Sequence, residues 1–305
     1  MSNLIENALS KGVNLFEISK DHVDSKSQKN FGLTLEKLIK EKKAIREDFT
    51  IASRVGFTPL PNSNRLLQYI ESQYVDTGLT VRDDWIQGHS LAPSWIEYSI
   101  ENSRLSMGIE CIDVVFIDRP EFILENNRSV TSLLLRLREA AKCLEELVDR
   151  GWIGAWGFCS WEGVRQNPIA KTYLNPNWFL ESAELVRSSH NFRWISSPFN
   201  LAMNEGSTRK NIDKLTLSEF VTSKNIRWIV LDPFLEGNLI TRIPSSLRNL
   251  TKNVSSQDVS TEFILGTSGV STLMLNHPSI SFLSSVIESS NRSQIDRDLF
   301  EKWFE

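Results

Sequence analysis

Histidine, cysteine and long apolar runs are all scarce in this chain, and each scarcity removes a class of function. The three cysteines, Cys111, Cys143 and Cys159, are an odd set with no CxxC spacing. That pattern argues against a disulfide framework and fits reduced thiols in a cytoplasmic protein. Four histidines, none paired with a second histidine or a cysteine at ligand spacing, give a metal centre no foundation, so none is expected. No stretch of about 18 apolar residues occurs and the first residues, Met1-Ser-Asn-Leu-Ile-Glu, lack the basic and apolar regions of a signal peptide. Membrane insertion is therefore not expected. Positive charge is also short: 34 basic residues face 38 acidic ones, a formal net charge of −4 with no basic stripe, which leaves nucleic acid without an electrostatic footprint.

What is present is enough apolar material for a large core. A chain of 305 residues with 40% hydrophobic and 10% aromatic content has the length and the filling for one large barrel. Short β-rich runs alternate with helical patterns over most of the length, which predicts repeated βα units and a parallel sheet buried on both faces. Seven strands are expected at Val13 to Ile18, Phe49 to Val55, Ile112 to Ile117, Ile153 to Cys159, Phe192 to Ser197, Ile226 to Leu231 and Val270 to Leu275. Helical spacing fills the intervals, as in Ile96, Ile100, Leu105 and in Leu137, Ala140, Ala141, Leu144, Leu147, Val148. Gly12, Gly108 and Gly151 stand where left-handed residues end helices. Two connections are long. The first, about residues 57–91, has the size of an active-site cover and equally of a surface excursion, and the second spans about 240–256.

Several motifs occur in a fixed order: Gly12-Val-Asn-Leu-Phe, Ser53-Arg-Val-Gly56-Phe, Gly88-His-Ser-Leu-Ala-Pro93, Leu105-Ser-Met-Gly108, Ile112-Asp-Val-Val-Phe-Ile-Asp118-Arg119-Pro120, Trp156-Gly-Phe-Cys-Ser-Trp161, Pro198-Phe-Asn-Leu-Ala-Met203 and Thr267-Ser-Gly-Val-Ser-Thr272. Together they resemble the aldo-keto reductase superfamily, in particular its galactose-dehydrogenase-like bacterial branch, from Ile5 to about Ser289. The resemblance implies a single (β/α)8 TIM-barrel domain over 1–305 whose C-terminal rim binds NAD(P)H beside a carbonyl or alcohol. It also implies that the first barrel strand is absent here, because Met1 already stands at the first helix. The edges of the strands near Val13 to Ile18 and Val270 to Leu275 would then be open to a protein partner or a second copy.

Members of that superfamily work with an Asp, Tyr, Lys and His quartet, and all four positions differ in this chain. The Asp falls on Glu17, the proton-donating Tyr on His22, the Lys on Arg54 and the His on Asp118. Arg54 cannot be deprotonated in a protein, but it is a fixed cation that can pair with Glu17 or attract an anion. His22 titrates near neutrality and with Asp118 makes an acid-base pair. The cofactor contacts fall on Cys159, Ser160, Ser196, Asp232 and Asn276. Of these, Asp232 brings a carboxylate toward the dinucleotide, and Asn276 with His277 replaces a close-approach glycine, so the expected cofactor is none or weakly held NAD(P)H. Pro278 and Ser279 are placed to open a helix whose N-terminus attracts an anion.

Three functions follow from the resemblance and stay open at this level. One is a repurposed enzyme doing redox-neutral acid-base chemistry on a small polar metabolite. Another is an NAD(P)H-dependent oxidoreductase with an atypical proton donor. The third is a non-catalytic barrel acting as a binding or assembly partner. The bland counterpart to all of them is that barrel rims are wet and polar, so the same four residues also make an ordinary salt-bridge set. The tryptophans, among them Trp85, Trp95, Trp156 and Trp228, read mainly as packing between helices and barrel.

Overall fold

The computed structural model describes residues 2–19, 26–59, 64–243, 254–276 and 278–291. Seven parallel strands form one curled sheet in sequence order: β1 Leu15–Glu17, β2 Thr50–Val55, β3 Ile112–Asp118, β4 Ile153–Cys159, β5 Phe192–Pro198, β6 Arg227–Leu231 and β7 Val270–Leu273. The principal helices are α1 Ser2–Ser10, α2 Lys26–Lys40, α3 Pro93–Met107, α4 Val130–Asp149, α5 Asn177–Val186, α6 Leu217–Ser223, α7 Ser256–Leu265 and α8 Ile280–Ser290. The (β/α) barrel is thus one strand short among the described residues, and β1 and β7 do not pair with each other.

Alternation along each strand sorts side chains into two layers. Ala52, Val114, Phe116, Cys159, Trp194, Ile229 and Leu231 pack inside the barrel. Ile51, Val115, Ile117, Trp156, Phe158, Ile195, Trp228 and Val230 face outward into the larger core beneath the helices. The central strands are buried on both faces, which is why they read as nearly continuous apolar runs. By contrast every side chain of β1 is half-buried, as are three of the four in β7, with Ser271 exposed.

The edge position also explains the largest boundary difference from the sequence reading. β1 and β7 each have one neighbouring strand, so their ladders are shorter than the apolar runs that predict them. Gly12, Gly108 and Gly151 do adopt left-handed backbone at φ 82°, 65° and 70°. In each case the chain turns there out of a helix toward the next strand.

The 57–91 connection is a packed excursion. Leu66, Ile70, Tyr74 and Trp85 form their own apolar cluster with Ala92 and Trp95 of α3 and its N-cap. Tyr74 stacks on Trp85 at 5.4 Å, and Trp95 lies 4.9 Å from Trp85 while donating through Nε1 to the Gly56 carbonyl at 3.0 Å. Residues 60–63 of this connection, and 244–253 of the second long one, lie outside the described residues.

One buried carboxylate ties helix to sheet. Glu145 of α4 is fully buried and accepts from Trp156 Nε1 at 2.7 Å, from Asn191 N at 2.6 Å and Asn191 Nδ2 at 2.8 Å, with Arg187 Nε at 3.2 Å. Glu145→Gln places an amide donor against these donors and removes the charge that Arg187 faces. Urea unfolding is expected to show a loss of about 2–3 kcal/mol, the scale of a broken buried hydrogen bond to a charged group.

Candidate functional site at the barrel rim

The C-terminal ends of β1, β2 and β3 bring Glu17, Arg54 and Asp118 together. All three have the inward parity of Leu15, Ala52 and Phe116 on the same strands, and the register sets Glu17 beside Ala52, Arg54 beside Phe116 and Asp118 beside Cys159. Arg54 Nη2 donates to Glu17 Oε2 at 3.1 Å, and its Nε lies in ion-pair contact 2.7 Å from Glu17 Oε1. The other arm, Nη1, donates to Asp118 Oδ1 at 3.2 Å. The three side chains are between 13% and 25% exposed, which makes the group reachable from solvent yet well shielded.

The electrostatics follow from this arrangement. Burial works against the Arg54 charge, but Glu17 and Asp118 hold its pKa well above the usual value, so the guanidinium is cationic at any working pH. Asp118 moves up from the ordinary carboxylate range. Burial is the main cause and repulsion from Glu17 adds to it, while Arg54 opposes both. With both carboxylates ionised the group carries one net negative charge, so Arg54 has no unmatched charge left with which to draw in an anionic substrate.

The remaining sequence candidates are distributed as follows. His22 lies outside the described residues. Cys159 is buried beside the cluster, and burial pushes its thiol well above the ordinary range, which makes it unreactive. Ser160 Oγ donates to Glu121 Oε1 at 2.9 Å. Ser196 Oγ is buried and has no hydrogen-bond partner among the described residues. Asp232 has left-handed backbone at φ 45°, its Oδ1 accepts from Glu236 N at 2.7 Å, and burial raises its carboxyl pKa. Asn276 is exposed, and His277 next to it lies outside the described residues. The helix expected after Pro278 forms as α8, with Ser279 accepting from Phe282 N at 3.1 Å.

Two buried ionisable groups near this rim were not singled out by sequence as parts of the site. Glu121 Oε1 gathers the Ser160 hydroxyl, Trp161 N at 2.8 Å and Glu162 N at 3.2 Å, binding the loop after β3 to the loop after β4. Burial raises its carboxyl pKa. His89 is fully buried and bonds through Nε2 to the main-chain oxygen of Asp118 at 2.8 Å. The sequence signal for both was weak, because each is a lone ionisable residue whose partners are distant in the chain.

No described helix is long and apolar enough to cross a membrane. A sequence model of the aldo/keto reductase family matches residues 2–304. Among solved structures, the holo form of aldo-keto reductase AKR11C1 from Bacillus halodurans superposes with a TM-score of 0.68 at 13% identity, covering 100% of this chain and 87% of that one. Its apo form gives 0.63, also at 13% identity, over 100% and 86% of the two chains. The thermostable aldo-keto reductase Tm1743, in complex with the inhibitor epalrestat, gives 0.65 at 13% identity over 99% of this chain and 85% of that one. At this identity the likeness to solved structures speaks for the fold alone. No curated protein matches the sequence.

Proposed function

The chain belongs to the aldo/keto reductase family, and from that premise we propose a repurposed enzyme of this fold, which performs redox-neutral acid-base chemistry on a small polar metabolite at Glu17, Arg54 and Asp118. The observation that carries the proposal is the bridging of two carboxylates by one permanent cation at the rim, with Asp118 raised by burial. Asp118 is the proton carrier. A carboxyl lifted toward neutrality accepts a proton from a substrate C–H or O–H more readily than an ordinary one and returns it more gently.

Arg54 steadies the ionised form of Asp118, and Glu17 orients Arg54. Because Arg54 never gives up its proton, it has no part in the proton transfer itself. The net negative charge favours substrates that present hydroxyl or amine donors to Glu17 and Asp118. His22, just beyond the β1 end in the chain, is the proposed second acid-base group. The reactions that suit such a set are isomerisation, elimination or cyclisation.

Family membership also brings the question of NAD(P)H, a hydride carrier when bound. The residues that would hold its nicotinamide are Cys159, Ser160 and Ser196, of which Ser196 alone has an uncommitted buried hydroxyl. On the phosphate side Asp232 sets a carboxylate close to Glu236. Two unit charges about 4 Å apart at an effective dielectric of about 20 interact by roughly 4 kcal/mol, so a diphosphate beside Asp232 meets repulsion. The residues fit the dinucleotide poorly, and no step here uses it. Weak NAD(P)H binding at most is expected.

The test is proton exchange in deuterated water. Small hydroxylated and amino metabolites incubated with the protein alone are expected to take up deuterium at carbon, read by proton NMR, with no nicotinamide present. If turnover appears only with NADPH and consumes it stoichiometrically, the redox-neutral reading is overturned in favour of the second one, an oxidoreductase with an atypical proton donor.

A further inference from the structure

The peptide unit that joins Asp118 to Arg119 is held at both ends. Its carbonyl accepts from His89 Nε2 at 2.8 Å, and its N–H donates to the Cys159 carbonyl at 2.8 Å. Beyond it Arg119 takes left-handed backbone at φ 43°, a conformation that side-chain-bearing residues rarely keep without outside support. The clamp supplies that support, and it leaves the Asp118 side chain directed at Arg54 inside the barrel mouth.

The imidazole is built into place. Its ring meets Phe57 edge-on at 4.7 Å and Phe122 at 6.0 Å. Antiparallel bridges from Phe57 and Ile86 to His89 fix the backbone that carries it. A side chain at Gly56 would stand 2.7 Å from Nε2, so glycine is what lets the ring approach the end of β3. A carbonyl can only accept, so Nε2 must bear the hydrogen and the ring is in its Nε2–H form. Nδ1 is then a bare acceptor, buried with no partner among the described residues.

We infer that His89 is a positioning residue, whose neutral Nε2–H clamps the Asp118 peptide and thereby sets the Asp118 carboxyl against Arg54. The inference rests on the proposed role of Asp118. Protonation of the ring is opposed by its surroundings: burial, with the Arg119 and Arg136 cations adding, lowers the His89 pKa to about 4. The charged groups that face Asp118 itself are Arg54, Glu17 and Arg119. The ring therefore stays uncharged across the neutral range, with Nε2–H donating to the Asp118 carbonyl.

Carbon-13 NMR of protein labelled at its Asp carboxyls reads the consequence directly, with the Asp118 signal assigned by its loss in Asp118→Asn. In His89→Phe, which keeps an aromatic ring but no donor, Asp118 is expected to gain solvent and titrate lower, toward the ordinary carboxylate range. His89→Gln, which keeps an N–H donor, should restore much of the original titration. An Asp118 titration unchanged in folded His89→Phe overturns the inference. If His89→Phe does not fold, nitrogen-15 NMR of the parent decides. A neutral ring that carries its proton on Nε2 supports the clamp, and an Nδ1–H ring refutes it. None of these readouts needs turnover, so failure of the proposed reaction and failure of the clamp are separately visible.

Discussion

Arg54→Met is expected to destabilise the protein by about 3 kcal/mol at neutral pH, the lower end of the cost of removing one partner from a buried charge group. That corresponds to a melting temperature lower by roughly 6–10 °C. Methionine fills much of the same volume, so the loss reports charge. Glu17 and Asp118 would keep their desolvation and their mutual repulsion, with nothing to offset either.

The pH dependence of that loss has a definite sign. Without the guanidinium, which opposes the rise, Asp118 titrates higher still in the folded chain than an unfolded carboxyl near 4. Above that value the unfolded state has released protons that the folded state still holds, so stability falls as pH rises and recovers as pH drops. In the parent the same direction is already set by Asp118, whose folded pKa is raised. Melting curves between pH 4 and 8 should therefore show parent and variant converging at the acid end and separating above it. Equal melting temperatures at pH 7 would show that Arg54 does not carry the balance of this cluster.

Asp118→Asn is expected to slow turnover by about 10²- to 10⁴-fold, the usual worth of a positioned general acid or base, equivalent to about 3–5 kcal/mol on the barrier. The amide oxygen can still accept from Arg54 Nη1, so the shape of the rim and the fold should persist. What disappears is the group proposed to take and return a proton. The deuterium wash-in rate is the direct measure, and a variant that exchanges within threefold of the parent would remove Asp118 from the chemistry. Glu17→Gln should have a smaller effect, since Glu17 acts through Arg54.

The open side of the sheet belongs to the same reasoning from burial. In a closed parallel barrel every strand is covered on both faces, whereas the β1 residues here are all half-buried and β7 is partly exposed. The sequence reading anticipated these two edges from the resemblance, and the strand order shows them unpaired with each other among the described residues. It placed β4 at its observed limits, Ile153–Cys159, because no charged residue interrupts that run. The long connection at 57–91 was legible as a connection but not as packing. Its cohesion comes from Tyr74 and Trp85 meeting Trp95 of α3, and aromatic contacts between separate elements leave no local period to read.

The sequence by itself determined the alternation of strands and helices, the apolar content of the barrel, and the kinds of side chain available at the rim: a guanidinium and two carboxylates. Those properties are local, fixed by spacing and residue type. Tertiary structure alone decided that Arg54 grips Glu17, 37 residues away, and touches Asp118, 64 residues away, and that His89 closes on the carbonyl of Asp118 across 29 residues. Proton affinity followed the same division, because burial and facing charge, which raise Asp118 and lower His89, arise only when strands distant in the chain are laid side by side.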